Sequence, residues 1–162
     1  MRAVLALTVF GGGVAQATIV SALRIGDVAP DLPLILVVLL ALRRGPEFGG
    51  LAGFAMGLLQ DAAGGGLIGV QALTKALVGF AVGALAGGLR GTQPLVQVPG
   101  LALLTLVEGL ARFGFLKLFH FPVPFGELMI YVVLPQALYN GFLGAALVFA
   151  LAWVDTYRRQ VS

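Results

Sequence analysis

Residues 3–23 and 128–154 each run without a single Asp, Glu, Lys or Arg. An α-helix needs about 20 mostly apolar residues to cross the hydrocarbon core of a bilayer, so either run is long enough to span one. Between them the charge-free stretches are shorter: 32–42, 48–60, 62–74, 76–89 and 91–107. A soluble domain carries charge on about a quarter of its residues, whereas here 10% of 162 residues are charged and the mean hydropathy is +1.02. The solvent for most of this chain is therefore lipid. Six spans would take about 120 residues and leave only loops and tails, with no room for a soluble catalytic domain.

The expected fold is all-α: one polytopic transmembrane domain over residues 1–162, with about six helices at 3–23, 30–42, 47–62, 66–89, 94–117 and 128–154. Turn-forming segments separate them: Gly26 to Pro30, Arg43-Arg44-Gly45-Pro46, Gly64-Gly65-Gly66, Arg90 to Pro94, and Phe121 to Gly126. Pro46 and Pro94 suit a first helical turn, where the missing N–H is harmless. Six spans put both termini on one side, which collects Arg2, Arg43, Arg44, Arg90, Arg158 and Arg159. The positive-inside rule makes that side cytoplasmic. Phe113, Phe115, Phe119, Phe121 and Phe125 then gather at the outer interface as an aromatic belt.

Glycine recurs every fourth residue in two series, Gly45, Gly49, Gly53, Gly57 and Gly79, Gly83, Gly87, Gly91. Each series makes a smooth stripe on one helix face, the surface by which membrane helices approach closely. The series mirror each other, Gly45 with Gly91, Gly49 with Gly87, Gly53 with Gly83 and Gly57 with Gly79. Antiparallel packing of the third and fourth spans in that register is expected, with one stripe alternatively free to receive a partner's helix.

Ionisable residues inside a membrane are costly and face a cavity, a partner or each other. Counting 1.5 Å per residue puts Asp61 and Glu108 about 21 Å above the inner face and Lys75 about 14 Å below the outer one. Arg112 is one turn from Glu108, Gln71 one turn from Lys75, and Gln136 and Asn140 share a face behind Pro135, which should kink the last span. Gln16 reaches a similar level on the first span. Two readings stand. The cluster is an outward-facing pocket for a solute, or it is interhelical bonding in which Lys75 pairs with Asp61 or Glu108.

Other chemistry finds no support. Zero cysteine and a single histidine, His120, argue against a metal site, a disulfide or a thiolate nucleophile. The bases stand singly or in pairs, which speaks against nucleic acid, and no H-E-x-x-H, G-x-S-x-G or Walker A spacing occurs. Neither an enzyme nor a cofactor is expected.

The chain resembles the rod shape-determining protein MreD family. The resemblance rests on Gln16, on Pro30-Asp31-Leu32, and on a block over about 53 to 83: Gly53-Phe54, Gly57-Leu58-Leu59-Gln60-Asp61, Gly66-Leu67-Ile68-Gly69 and Ala72-Leu73. It implies a non-enzymatic, multi-pass protein of the bacterial inner membrane that pairs with MreC during lateral cell-wall elongation. The wider assembly includes MreB, RodZ, a polytopic glycosyltransferase and a class-B penicillin-binding protein. The family also resembles the six-helix substrate-binding subunits of energy-coupling-factor transporters, which makes a solute-binding subunit the alternative function.

Overall fold

The computed structural model describes residues 11, 12, 14, 16, 18, 28–64, 67–89 and 94–161. Among these the chain is helical and contains no strand: α1 (Leu32–Arg44), α2 (Pro46–Gly64), α3 (Val70–Leu89), α4 (Pro94–Leu118), a short α5 (Phe125–Glu127), a π-helical turn (Leu128–Val133) and α6 (Leu134–Val161). α1 to α4 begin and end within about four residues of the expected 30–42, 47–62, 66–89 and 94–117, whereas the last helical stretch, Phe125 to Val161, overruns the expected 128–154 at both ends. The first expected span, with Arg2, Arg24, Arg90 and Gly91, lies wholly or largely outside the described residues. One described helix, Phe125–Ala146, is long and apolar enough to cross a membrane by itself, and Val70–Ala86 is a shorter apolar helix.

Local chemistry sets the helix ends. Asp31 caps α1, its carboxylate accepting the Leu34 N–H at 3.0 Å, and Pro33 occupies the first turn. Gly45 ends α1 at φ 91°, a backbone conformation that costs glycine nothing, and Pro46 opens α2 one residue later. At the end of α4 the left-handed residue is His120, at φ 58°. Its N–H bonds to the Lys117 carbonyl at 3.0 Å, and the Phe121 N–H reaches the Leu116 carbonyl at 2.8 Å. That pair of bonds is a Schellman cap, so His120 has a structural role in closing the helix.

Just before Pro135, where the sequence leads one to expect a kink, the helix makes a π turn. Proline cannot donate to the carbonyl four residues back, and the Leu134 N–H bonds instead to the Met129 carbonyl, five residues back. The wide turn is seated by Gly109 of α4, where a Cβ would overlap the Val133 side chain.

α2 and α3 form an antiparallel hairpin, and α1 packs across both, while α4 pairs with α6 and touches the hairpin through α3. Leu34, Ile35, Val38 and Ala41 of α1, Val78 and Val82 of α3, and Leu101 of α4 form the main apolar core. An edge-to-face pair of Phe113 and Phe125, with ring centroids 4.9 Å apart, ties α4 to α5.

The hairpin seam is lined by glycine, in a different register from the sequence expectation. A Cβ on Gly49 would strike the Gly79 backbone, one on Gly53 the Lys75 carbonyl, one on Gly57 the backbone of Gln71 and Ala72, and one on Gly83 that of Gly45 and Pro46. Gly49 therefore meets Gly79 rather than Gly87, a shift of about two helical turns. The physical reason is a cap between the helices: the Asp61 carboxylate of α2 accepts the N–H groups of Gly69, Gln71 and Ala72, which holds the start of α3 back beside Gly57 rather than level with the end of α2 at Gly64. The surroundings of Gly87 lie outside the described residues.

The distribution of side chains is inverted relative to a water-soluble protein. The largest fully buried side chain is Lys75, at 0% exposure, while Phe142 and Trp153 are 78% and 76% exposed. Leu51, Phe54, Leu77, Phe80 and Leu85 also stand outward along the α2–α3 hairpin.

Candidate functional site

The buried polar residues converge at one end of the helix bundle, where α1 begins, α2 ends and α3 begins. Lys75 comes from the second turn of α3, and its ammonium sits 2.8 Å from Asp31 Oδ2, 3.4 Å from Glu108 Oε1 and 2.7 Å from Gln71 Oε1. Glu108 of α4 is fully buried and is also met by the Arg112 guanidinium at 2.7 Å, one turn along the same helix, and by the Thr74 hydroxyl at 3.1 Å. A chain of charges thus runs Arg112, Glu108, Lys75, Asp31, alternating in sign across α4, α3 and α1.

Amides extend the chain to the remaining helices. Gln60 of α2 donates to Asp31 Oδ1 at 3.2 Å. The Asp31 N–H donates to Asn140 Oδ1 at 2.8 Å, and Asn140 donates in turn to the Thr105 hydroxyl at 3.1 Å. Gln136 donates to the Ala29 carbonyl, and Gln16 bonds both the Pro30 carbonyl and the Leu32 N–H. Every long helix contributes to one network centred on the start of α1.

Of the two partners expected for Lys75, the structure gives Glu108 and not Asp61. The two oxygens of Asp61 accept the backbone N–H groups of Gly69, Gln71 and Ala72 at 2.8, 3.1 and 3.1 Å. A carboxylate from α2 therefore caps α3, where unpaired N–H groups and the helix dipole favour negative charge. The partner that sequence reasoning missed is Asp31, which stands in the sequence analysis only as part of Pro30-Asp31-Leu32. The available signal was its level: Asp31 stands at the same end of α1 as Lys75 does of α3. Gln60, Thr74 and Thr105 were missed because uncharged polar residues are common inside membrane helices and their partners depend on helix rotation.

An isolated charge in an apolar interior is costly, and a buried pair holds its charges only when their remaining bonding capacity is met. Here it is met almost throughout. The exceptions among the described residues are Gln60 Oε1 and Arg112 Nε, buried without a hydrogen-bond partner. Both side chains line a partly open cleft of about 160 Å³ between the ends of α2, α3 and α4, together with Asp61, Gln71 and the apolar Leu67, Val70 and Leu116. The arrangement fixes five helices in one relative register by bonds that tolerate little displacement. Among the described residues, no group of His, Asp and Glu is placed to hold a metal.

The sequence profile of the rod shape-determining protein MreD family matches the chain over residues 1–159. Comparison with curated proteins gives no match, and neither does comparison with solved structures.

Proposed function

The chain belongs to the rod shape-determining protein MreD family, a family of shape-determining membrane proteins, and from that premise we propose that it is a non-enzymatic, multi-pass component of the bacterial inner membrane that binds MreC within the machinery of lateral cell-wall elongation. The observation that carries this reading is the family match, which takes in nearly the whole chain. Through MreC the protein would be linked to MreB, RodZ, the lateral-wall glycosyltransferase and a class-B penicillin-binding protein.

The geometry supports a binding role in two ways. Each carboxylate of the buried network is engaged by a cation or by backbone amides, as suits a rigid support more than a centre of acid-base turnover. The outward apolar side chains of α2, α3 and α6 offer a surface for lipid and for a partner's transmembrane helix. In the proposed orientation both termini are cytoplasmic. Arg43 and Arg44 close α1 on that side, and the polar network lies in the outer half of the bilayer.

Cysteine cross-linking tests this directly, because the chain has no cysteine of its own. Single cysteines at the exposed positions Leu77, Phe80, Leu103 and Phe142 are paired with a cysteine series along the MreC transmembrane helix. One face is expected to cross-link with helical periodicity. Failure of MreC to co-elute with the wild-type chain in mild detergent, with no periodic cross-links, would overturn the proposal.

A further inference from the structure

Among the described residues, one helix, Phe125–Ala146, is long and apolar enough to cross a membrane by itself. α1 has 13 residues, about 20 Å of helix, against a hydrocarbon core of about 30 Å. α3 is otherwise apolar, but its second turn carries Lys75, about 8 Å below the outer end of the helix. A lysine at such a depth ordinarily runs its stem out to the interface and keeps its ammonium wet. Lys75 does not, because its side chain is 0% exposed. Its charge has to be neutralised inside the membrane.

The order in which the chain is made selects the carboxylate that does this. Inside the α2–α3 hairpin Asp61 is already met, by the N–H groups of Gly69, Gln71 and Ala72. Lys75 finds only the neutral Gln71 oxygen there, at 2.7 Å. Its charged partners lie outside the hairpin, Asp31 at 2.8 Å and Glu108 at 3.4 Å. Asp31 precedes the hairpin in the chain and Glu108 follows it, and a growing chain folds from its N-terminal end. When α3 enters the membrane, α1 is present and α4 is not. Glu108 also has a cation on its own helix, Arg112 at 2.7 Å, so α4 brings a closed pair with it. We propose that Asp31 and Lys75 form an integration latch. Asp31, at the outer end of α1, receives Lys75 as the α2–α3 hairpin crosses the membrane, and Glu108 joins them only when α4 follows. The inference rests on the multi-pass placement proposed above and adds to it the order in which the helices are committed.

The test uses the full chain with one reporter cysteine in its cysteine-free background. Ile68→Cys places the reporter in the α2–α3 turn, where residue 68 is 71% exposed. A membrane-impermeant maleimide added to intact spheroplasts counts the turns that have crossed, as a fraction of the chains labelled after denaturation, so the readout does not require a variant to fold to completion. The wild-type turn is expected to label almost fully. Asp31→Asn leaves the lysine alone when the hairpin enters and is expected to lower the labelled fraction by about half or more, since one unpaired lysine deep in a helix shifts insertion by up to about a hundredfold. Adding Lys75→Met to Asp31→Asn should restore the wild-type fraction, because no charge is left to neutralise. Glu108→Gln should leave it unchanged. Full labelling of Asp31→Asn, an equal loss with Glu108→Gln, or no recovery on adding Lys75→Met overturns the inference. A wild-type chain that alkaline carbonate extracts from the membrane overturns the proposed function together with it, whereas an integrated wild-type chain with an insensitive Asp31→Asn overturns the inference alone.

Discussion

Replacing Lys75 with Met removes the one cation that touches both Asp31 and Glu108. At an effective dielectric constant of about 20, the attractions at 2.8 and 3.4 Å are worth about 6 and about 5 kcal/mol. Most of that gross energy offsets the cost of taking three charges out of water, so the pair contributes far less to net stability. The loss of one partner is a different quantity, because it strands the others. Glu108 keeps Arg112 at 2.7 Å and Thr74 at 3.1 Å. Asp31 keeps only neutral donors, Gln60 and the Leu34 N–H, so it bears the penalty. Lys75→Met is expected to cost about 3–5 kcal/mol, read as a shift in unfolding by denaturant in mixed micelles with helix content followed by circular dichroism. Asp31→Asn in the same background removes the stranded charge and should restore about 2 kcal/mol. The measurement is a double-mutant cycle over the two single variants and the pair. If the single effects add to within about 0.5 kcal/mol, Asp31 and Lys75 are not coupled and the network as described is wrong.

Gly53→Ala should cost about 1–3 kcal/mol by overpacking, because its Cβ would overlap the Lys75 carbonyl. Gly50→Ala, three residues earlier on α2, meets Phe80 at an ordinary 3.5 Å and should leave stability unchanged or slightly raised in the same unfolding assay. Asp61→Asn loses the charge that receives three amide N–H groups and is expected to cost about 1–3 kcal/mol. Faster amide hydrogen exchange confined to the first turn of α3 would locate the effect. Gly109→Ala should destabilise by driving a methyl group into Val133, and Val133→Ala should partly rescue it. No rescue would mean that the π turn is not seated on Gly109.

The helices were legible because their causes are local. Charge-free runs, prolines at helix starts and the punctuation at Gly45-Pro46 and Gly69 act over a few residues, and the helices begin and end close to where those signals stand. Close packing by glycine was legible for the same reason, since a four-residue period defines a face whichever helix it meets. Its register was not. Mirror symmetry of Gly45 to Gly57 with Gly79 to Gly91 pointed to one alignment, and the capping of α3 by Asp61 imposed another, with Gly49 against Gly79.

The candidate site divides along the same line. The sequence by itself marked Asp61, Lys75, Glu108, Arg112, Gln71, Gln136, Asn140 and Gln16 as residues needing partners, because a polar group in an apolar stretch is costly wherever the fold puts it. Which partner each received was decided by tertiary structure. The rotation of α1 brought Asp31 to Lys75, and the closeness of the α2–α3 turn gave Asp61 the backbone of α3. Hydrogen bonds and ion pairs act over about 3 Å, a distance smaller than the uncertainty in how two helices settle against each other. The chain sequence states that these groups must be satisfied, and only the packed helices determine by whom.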